Sequence, residues 1–324
     1  MLVLQLPTLI GTAPGCRNRG QYLKSPTSHR CLHSATRAHA RPDLEVAKQL
    51  AARRAEHSKL QAPLFLDPFA DSLAGDVAAV QSQLPWDIIS TRFVDDKLSE
   101  GIDIVNMDIK EDYRQVVLLG CGMDTRPYRL MWPEGTVLYE LAPAEVHAAA
   151  ARALRAASAQ VQRGCLHVRV PADVQAGDAL GEALGRAGFN GSRLSIWGIQ
   201  GLAEMQLPAE RLRPLFAEIA DNAAFGSIVL GELPGLPKQM AEDLLAEAGM
   251  LGRVLAFGQE ESSFGLWPEQ PLAISNDVSG EGQQQHRLLF TAQHQRLSLQ
   301  QMGMYSDHVQ AAEETDEDFF GNFS

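Results

Sequence analysis

No stretch of the 324 residues stays apolar for the roughly 20 positions that a membrane-spanning helix requires, and the longest candidate, Leu2 to Ile10, is broken by Gln5 and Pro7. A membrane span is therefore not expected. Basic residues are also short: 28 Lys and Arg face 40 Asp and Glu, for a net charge of -12. A polyanion partner needs clustered cations to offset repulsion, so nucleic acid is disfavoured and a small-molecule or peptide partner favoured. Cysteine is scarce, with four in all. Cys16 and Cys31 fall near the N-terminus, while Cys121 and Cys165 stand alone in the body without a CxxC pair or metal-ligand spacing. Reduced thiols and no structural metal follow.

Acidic residues are missing from one stretch altogether. Residues 1–42 hold Arg17, Arg19, Lys24, Arg30, Arg37 and Arg41, many Ser and Thr, and no Asp or Glu before Asp43. That is the composition of an organellar transit peptide, here read as directing the chain to the chloroplast stroma, with the mitochondrial matrix as the alternative. A secretory signal fits less well, because the apolar stretch begins at the Met with no basic region before it. The other end, 306–324, carries Asp307, Glu313, Glu314, Asp316, Glu317 and Asp318 with no Lys or Arg, which reads as a solvated tail without assigned function. Residues 43–305 are left as the folded domain, and the chain's 45% hydrophobic content is enough to bury a core.

Within it, apolar residues at three- and four-residue intervals predict an N-terminal helical extension of three helices: Asp43 to Leu60, Asp67 to Leu84, and Asp87 to about Met107. Short β-rich runs then alternate with helix formers. The strands are predicted at Gln115 to Leu119, Thr136 to Tyr139, Leu166 to Val170, Leu194 to Trp197 and Ser227 to Leu230, with helices at Ala144 to Val161, Asp178 to Ala187 and Pro208 to Ala223. A helix over Lys238 to Ala248 precedes two last strands, Arg253 to Phe257 and Arg287 to Thr291. Such alternation predicts an α/β, doubly wound (Rossmann-like), mainly parallel seven-stranded sheet covered by helices. No helix separates the last two strands, so the final one is expected to pair antiparallel at the sheet edge.

The strongest local signal is Val116-Val-Leu-Leu-Gly120-Cys-Gly122-Met-Asp-Thr-Arg126, a buried strand opening into a Gly-x-Gly turn. In a doubly wound sheet that turn lies at the carboxyl end of the first strand, where ligands bind. A dinucleotide site would add a third glycine where this chain has Thr125, so a pyrophosphate cradle, and with it a nicotinamide-dependent oxidoreductase, is disfavoured. About twenty residues on, Glu140 closes the second strand, where a carboxylate accepts both hydroxyls of a ribose. Glycine turn and distant acid together indicate a nucleoside.

The run Gly120 to Leu130, with Trp132-Pro and Tyr139-Glu-Leu after it, resembles the signature of the leucine carboxyl methyltransferase-like family of S-adenosylmethionine-dependent O-methyltransferases. Pro63 to Phe69, Ser90 to Asp96, Val170 to Asp173 and Trp197 to Leu202 extend the likeness over roughly residues 43 to 300. The resemblance implies S-adenosylmethionine as cofactor and assigns roles. Arg92 would clamp the methionine carboxylate through a bidentate pair. Gly120 and Gly122 would let the methionine part approach the backbone. Asp124 would meet its ammonium, or cap the next helix. Glu140 would hold the ribose, and Asp173 would accept from the adenine amino group.

Methyl transfer from a sulfonium is an in-line displacement, which asks for alignment and exclusion of water more than for a base. If the acceptor is a carboxylate, as the family name implies, it is already ionised near neutral pH. His147 and His167 are accordingly read as structural. Three positions depart from the family pattern: Ala142 stands where an acid is common, Gln200 where Glu is common in the substrate half, and Met205 and Gln206 replace a usual tyrosine with one extra residue. Gln200 is kept as a substrate-side candidate. The reading is a methyltransferase acting on a carboxylate or hydroxyl of a small molecule or peptide, the alternative being a catalytically impaired descendant retained as a binding module.

Overall fold

The computed structural model describes residues 43–80, 84–107, 113–267 and 287–295. The basic leader, the acidic tail, Cys16 and Cys31 lie outside those residues. Among the described residues no helix is long and apolar enough to cross a membrane, and neither Cys121 nor Cys165 is in a disulfide with another described cysteine.

Three helices come first: α1 (Asp43–Ser58), α2 (Ala70–Ala74) and α3 (Trp86–Met107). The helix expected from Asp67 to Leu84 is thus much shorter. Pro68 restrains the chain before it, the Asp67 carboxylate accepts the Phe69 amide in a local turn, and Gly75 ends the helix at a φ of 60°. Next come β1 (Gln115–Gly120), the single turn α4 (Arg126–Arg129), β2 (Val137–Ala142), α5 (Ala144–Ala156), β3 (Leu166–Pro171), α6 (Leu180–Arg186), β4 (Ser195–Gln200), α7 (Ala209–Asn222) and β5 (Ile228–Leu233). The described residues end in α8 (Lys238–Glu247), β6 (Met250–Ala256), α9 (Glu260–Ser263) and β7 (Leu288–His294).

The seven strands form one sheet in the order β3-β2-β1-β4-β5-β7-β6. β1 to β5 are parallel, and β7 runs antiparallel to both β5 and β6. The last strand is antiparallel as expected but is not at the edge: it inserts between β5 and β6. Its sequence explains why, since Leu288, Leu289 and Phe290 are buried in succession, as an interior strand covered on both faces requires. β6 takes the edge and exposes Leu251, Gly252 and Arg253.

β1 is buried along its whole length and sorts its side chains to two cores. Val117 and Leu119 point with Tyr139, Leu141, Trp197 and Ile199 toward α1 and α5. Val116 and Leu118 point with Leu138, Ile196 and Leu230 toward Ile89, Phe93, Val94 and Leu98 of α3. Alternation with period two places helices on both faces, and each fully buried Leu or Ile contributes about 1.5–3 kcal/mol. The chain leaves β1 toward β2 and β3, then returns on its other side at β4. The strand order therefore reverses between β1 and β4, and their carboxyl ends open the crevice in which doubly wound sheets bind ligands.

Candidate active site

A narrow cleft open to solvent occupies that crevice. The turn after β1 supplies Gly120, Cys121, Gly122 and Asp124, β2 supplies Glu140, β4 supplies Gln200 and Gly201, and α3 supplies Asp87 and Thr91. Arg54, Arg126 and Arg129 add guanidinium groups to the lining. The structure thus gathers Gly120, Gly122, Asp124, Glu140 and Gln200 around one space.

The two glycines are required by the protein itself. A Cβ on Gly120 would stand 1.7 Å from the Gln200 carbonyl oxygen of the neighbouring strand. Gly122 has a φ of +79°, and its Cβ would meet Ala142 and Val146 at 2.7 Å each. Ala142, the position where an acid was expected, is buried against this turn; a carboxylate there would have to fit into the same packed space.

Glu140 is 2% exposed, with both oxygens engaged. Oε1 accepts the Asp124 backbone amide at 3.0 Å, and Oε2 accepts His167 Nε2 at 3.0 Å. With Nε2 donating, His167 Nδ1 is left to accept from the Tyr128 hydroxyl at 3.0 Å, and Arg169 Nη2 donates to that oxygen at 2.8 Å. This chain of donors runs from β3 across α4 to the end of β2 and fixes the carboxylate's rotamer. Burial alone would raise the Glu140 carboxyl, but the His167 hydrogen bond and the nearby histidines hold it below the usual carboxylate range. His147 also faces it, with Nδ1 at 3.9 Å, while its Nε2 lies 3.2 Å from the Val170 carbonyl; burial pushes this imidazole toward the neutral form. Both histidines are structural, as read from their helix and strand settings, but their shared attachment to Glu140 is not visible in sequence: it needs the β2–β3 register that sets Leu138 beside His167 and Glu140 beside Arg169.

His167 is a positioning residue for Glu140. His167→Ala is expected to weaken binding of a nucleoside ligand about five- to tenfold, the cost of one charge-assisted hydrogen bond. His167→Asn or His167→Gln should recover part of it. Calorimetric titration of the three variants checks this; unchanged affinity in His167→Ala would remove the role.

Arg126 is buried at the centre of a charge network. Nε donates to Asp95 at 2.7 Å, Nη1 to Asp124 at 2.6 Å, and Nη2 to the Gln200 side-chain oxygen at 2.6 Å. Arg129 grips Asp95 with two donors at 2.6 and 2.8 Å, a bidentate pair. Asp124 accepts both the Arg126 guanidinium and the Arg126 amide. Burial would raise its carboxyl, but Arg126 outweighs that and lowers it. Asp124 therefore organises the start of α4 while lining the cleft. Gln200 is equally engaged: its amide nitrogen donates to the Ser90 and Thr91 hydroxyls at 2.9 and 2.8 Å, tying β4 to α3.

Two expected site residues are not brought to the lining. Arg92 is 40% exposed at its side chain, pairing with Asp96 at 2.8 Å and donating to the Leu64 carbonyl at 2.6 Å. Arg54, Arg126 and Arg129 are the arginines of the lining, and the last two belong to the Gly120 to Leu130 run. Asp173 lies past the end of β3 and accepts the Gln175 and Ala176 amides at 2.8 and 3.0 Å, forming its own turn. The extra residue near Met205 is absorbed in another turn, closed by the Met205 amide on the Gly201 carbonyl at 3.0 Å, with Gln206 at a φ of 56°.

Residues 47–220 match the family model for leucine carboxyl methyltransferase. A rice protein (Oryza sativa subsp. japonica) named O-methyltransferase 1, chloroplastic, is 34% identical over 292 residues, which is 86% of this chain and 78% of that one. A protein of Mycolicibacterium smegmatis, which carries the name of an S-adenosyl-L-methionine-dependent methyltransferase, is 34% identical over 244 residues, 68% of this chain and 75% of its own. Among solved structures, the CurJ carbon methyltransferase superposes with a TM-score of 0.39 at 11% identity, over 79% of this chain and 68% of that chain.

Proposed function

Because this chain belongs to the leucine carboxyl methyltransferase family and is an S-adenosylmethionine-dependent methyltransferase, we propose that the donor lies in the cleft between β1 and β4 with its ribose on Glu140. The observation that carries this reading is a buried, ionised acid at the end of β2, held beside the glycine turn at the switch point of the sheet. The lining matches the rest of the donor by chemistry. Arg54, Arg126 and Arg129 suit its carboxylate, the backbone at Gly120 to Gly122 lets the methionine part lie close, and the carboxylate of Asp124 suits its ammonium.

When bound, S-adenosylmethionine supplies a methyl group on a sulfonium, open to displacement by an acceptor in line with the carbon–sulfur bond. The protein's part is alignment and dryness. Glu140 and the guanidinium groups hold the two ends of the donor, and Gln200, locked between Arg126 and α3, holds the wall of the cleft in place. The methyl acceptor is a small molecule or peptide offering oxygen as nucleophile. A chloroplast location is supported by the basic, acid-free composition of residues 1–42 and by the name of the rice relative.

Incubating the protein with methyl-labelled S-adenosylmethionine and a chloroplast extract, then isolating the labelled product, tests this reading. Label in a small molecule or peptide is expected, together with saturable binding of S-adenosylhomocysteine. A wild-type protein that binds neither the donor nor S-adenosylhomocysteine would refute it.

A further inference from the structure

Resting on that reading, a second group of side chains adjoins the cleft at the carboxyl ends of β4 and β5, with Asp87 in the lining and the rest packed behind Gln200 and Gly201. Asp87, in the first turn of α3, lines the cleft and is 4% exposed. Its Oδ1 is ion-paired with the Arg53 guanidinium, while Oδ2 accepts no hydrogen bond among the described residues. Glu232, near the end of β5, is 1% exposed. Its Oε1 accepts the Gly201 amide at 2.6 Å, the Ser90 hydroxyl faces the carboxylate, and Oε2 makes no well-formed hydrogen bond among the described residues. Glu204, in the turn after β4, gives Oε1 to Arg287 Nη1 at 2.5 Å and leaves Oε2 without one. Arg287 is in turn seated over the Trp86 ring at 5.6 Å, next to Asp87 in sequence. Gln200 and Gly201 join the parts, since the Gln200 side chain bonds the Asp87 carbonyl and Gly201 bonds Glu232.

Buried carboxylate oxygens without donors are costly, and Asp87 Oδ2 in the lining, with Glu204 Oε2 and Glu232 Oε2 behind it, can accept hydrogen bonds that a ligand would supply. The ligand's charge is constrained. A carboxylate acceptor would add a further negative charge to three acids whose cations Arg53 and Arg287 are already paired, while Arg54, Arg126 and Arg129 of the lining are given to the donor. An ammonium would be attracted but has no lone pair to take a methyl group. A hydroxyl satisfies an orphan oxygen, adds no charge, and needs a proton acceptor to become a good nucleophile, because its pKa lies far above that of a carboxylate.

We propose that Asp87, Glu204 and Glu232 form the acceptor subsite, that the acceptor presents a hydroxyl and not a carboxylate, and that Glu232 Oε2 takes its proton. In that step the hydroxyl oxygen forms the new bond to the methyl carbon. The carbon–sulfur bond breaks with its electron pair left on sulfur, and the hydroxyl proton passes to Glu232. The product is a methyl ether and a neutral thioether.

The electrostatics suit the role. Burial first, and Glu204 second, push the Glu232 carboxyl up to about 7, against the lowering effects of Arg287, the Gly201 amide and Ser90. Burial also pushes Asp87 up to about 6, with Glu204 adding to the shift and Arg53 and Arg287 opposing it. A base that titrates near the working pH is the efficient kind. A raised carboxyl is protonated in the folded chain at pH values where it is ionised in the unfolded one. It therefore favours folding most below its ordinary range, and that contribution is lost as pH rises through about 7.

Four measurements on wild type and Glu232→Gln test the proposal. The melting temperature of the wild type, without donor, should fall from pH 5 to 8, and that of Glu232→Gln should fall less and exceed it at pH 8. Affinity for S-adenosylhomocysteine should change less than about twofold in the variant, while labelling of the acceptor drops at least tenfold. The label on the wild-type product should resist base. A base-labile methyl ester would overturn the hydroxyl assignment. A tenfold loss of S-adenosylhomocysteine affinity in Glu232→Gln, or in Asp87→Asn, would give these acids to the donor instead. Wild type that binds no S-adenosylhomocysteine would be a failure of the donor site, distinguishable because it precedes any question of acceptor.

Discussion

Glu140→Gln is expected to lower affinity for S-adenosylmethionine by two to three orders of magnitude while leaving the chain folded. The carboxylate accepts from the Asp124 amide on one oxygen and from His167 on the other, and keeps lone pairs on both for a ribose diol. An amide of the same shape has one acceptor oxygen and one NH2 group. Whichever way it turns, the NH2 meets either the Asp124 amide or the His167 donor head on, and the ribose loses charge-assisted bonds, each worth about 1.5–3 kcal/mol. The measurement is calorimetric titration at pH 7, with circular dichroism to establish folding. The position would lose its assigned role if the variant bound the donor within threefold of wild type.

The second large effect is on stability. Arg126→Ala should destabilise the fold by about 3–5 kcal/mol, the usual consequence of removing one partner from a buried ion network. Asp95 retains Arg129, but Asp124 loses its only guanidinium bond and the Gln200 oxygen loses its donor. Both remain in place around an emptied volume. Urea unfolding at unchanged slope would report the loss as a shifted midpoint. Donor affinity should fall with it, because Asp124 and Gln200 both line the cleft. A change below 1 kcal/mol would mean that the network contributes little and that Arg126 is there for the ligand alone.

Much of this architecture could be read from residue order. β1 is a continuous apolar run because both of its faces are covered, and its glycine turn, the spacing to Glu140 and the alternation of later strands with Ala-rich helices were all local patterns. What sequence could not supply depended on contacts between distant segments. The place of β7 between β5 and β6 is set by pairing across the long segment between Ala256 and Leu288. Arg92 and Arg126 are both arginines in motif-like surroundings, and only the fold decides that one faces the cleft while the other pairs with its own helix. Glu232 was hidden for a different reason: it follows an apolar strand and looks like an ordinary strand-end acid until the Gly201 amide is found on it. The helix expected after Asp67 failed because the Asp67 side chain prefers three partners outside a helix, namely Arg54, Thr125 and the Phe69 amide.

The insertion of β7 between its neighbours has a consequence for biogenesis. A nascent or translocating chain delivers its residues in order, so β5 and β6 emerge while the slot between them is still vacant. Their apolar borders stay open until Leu288–His294 arrives to zip both at once. A product truncated before Leu288 would retain every residue of the glycine turn and Glu140, yet would present two unmatched strand margins and be a target for chaperones and proteases. Completion of this enzyme is in effect proofread by its last strand.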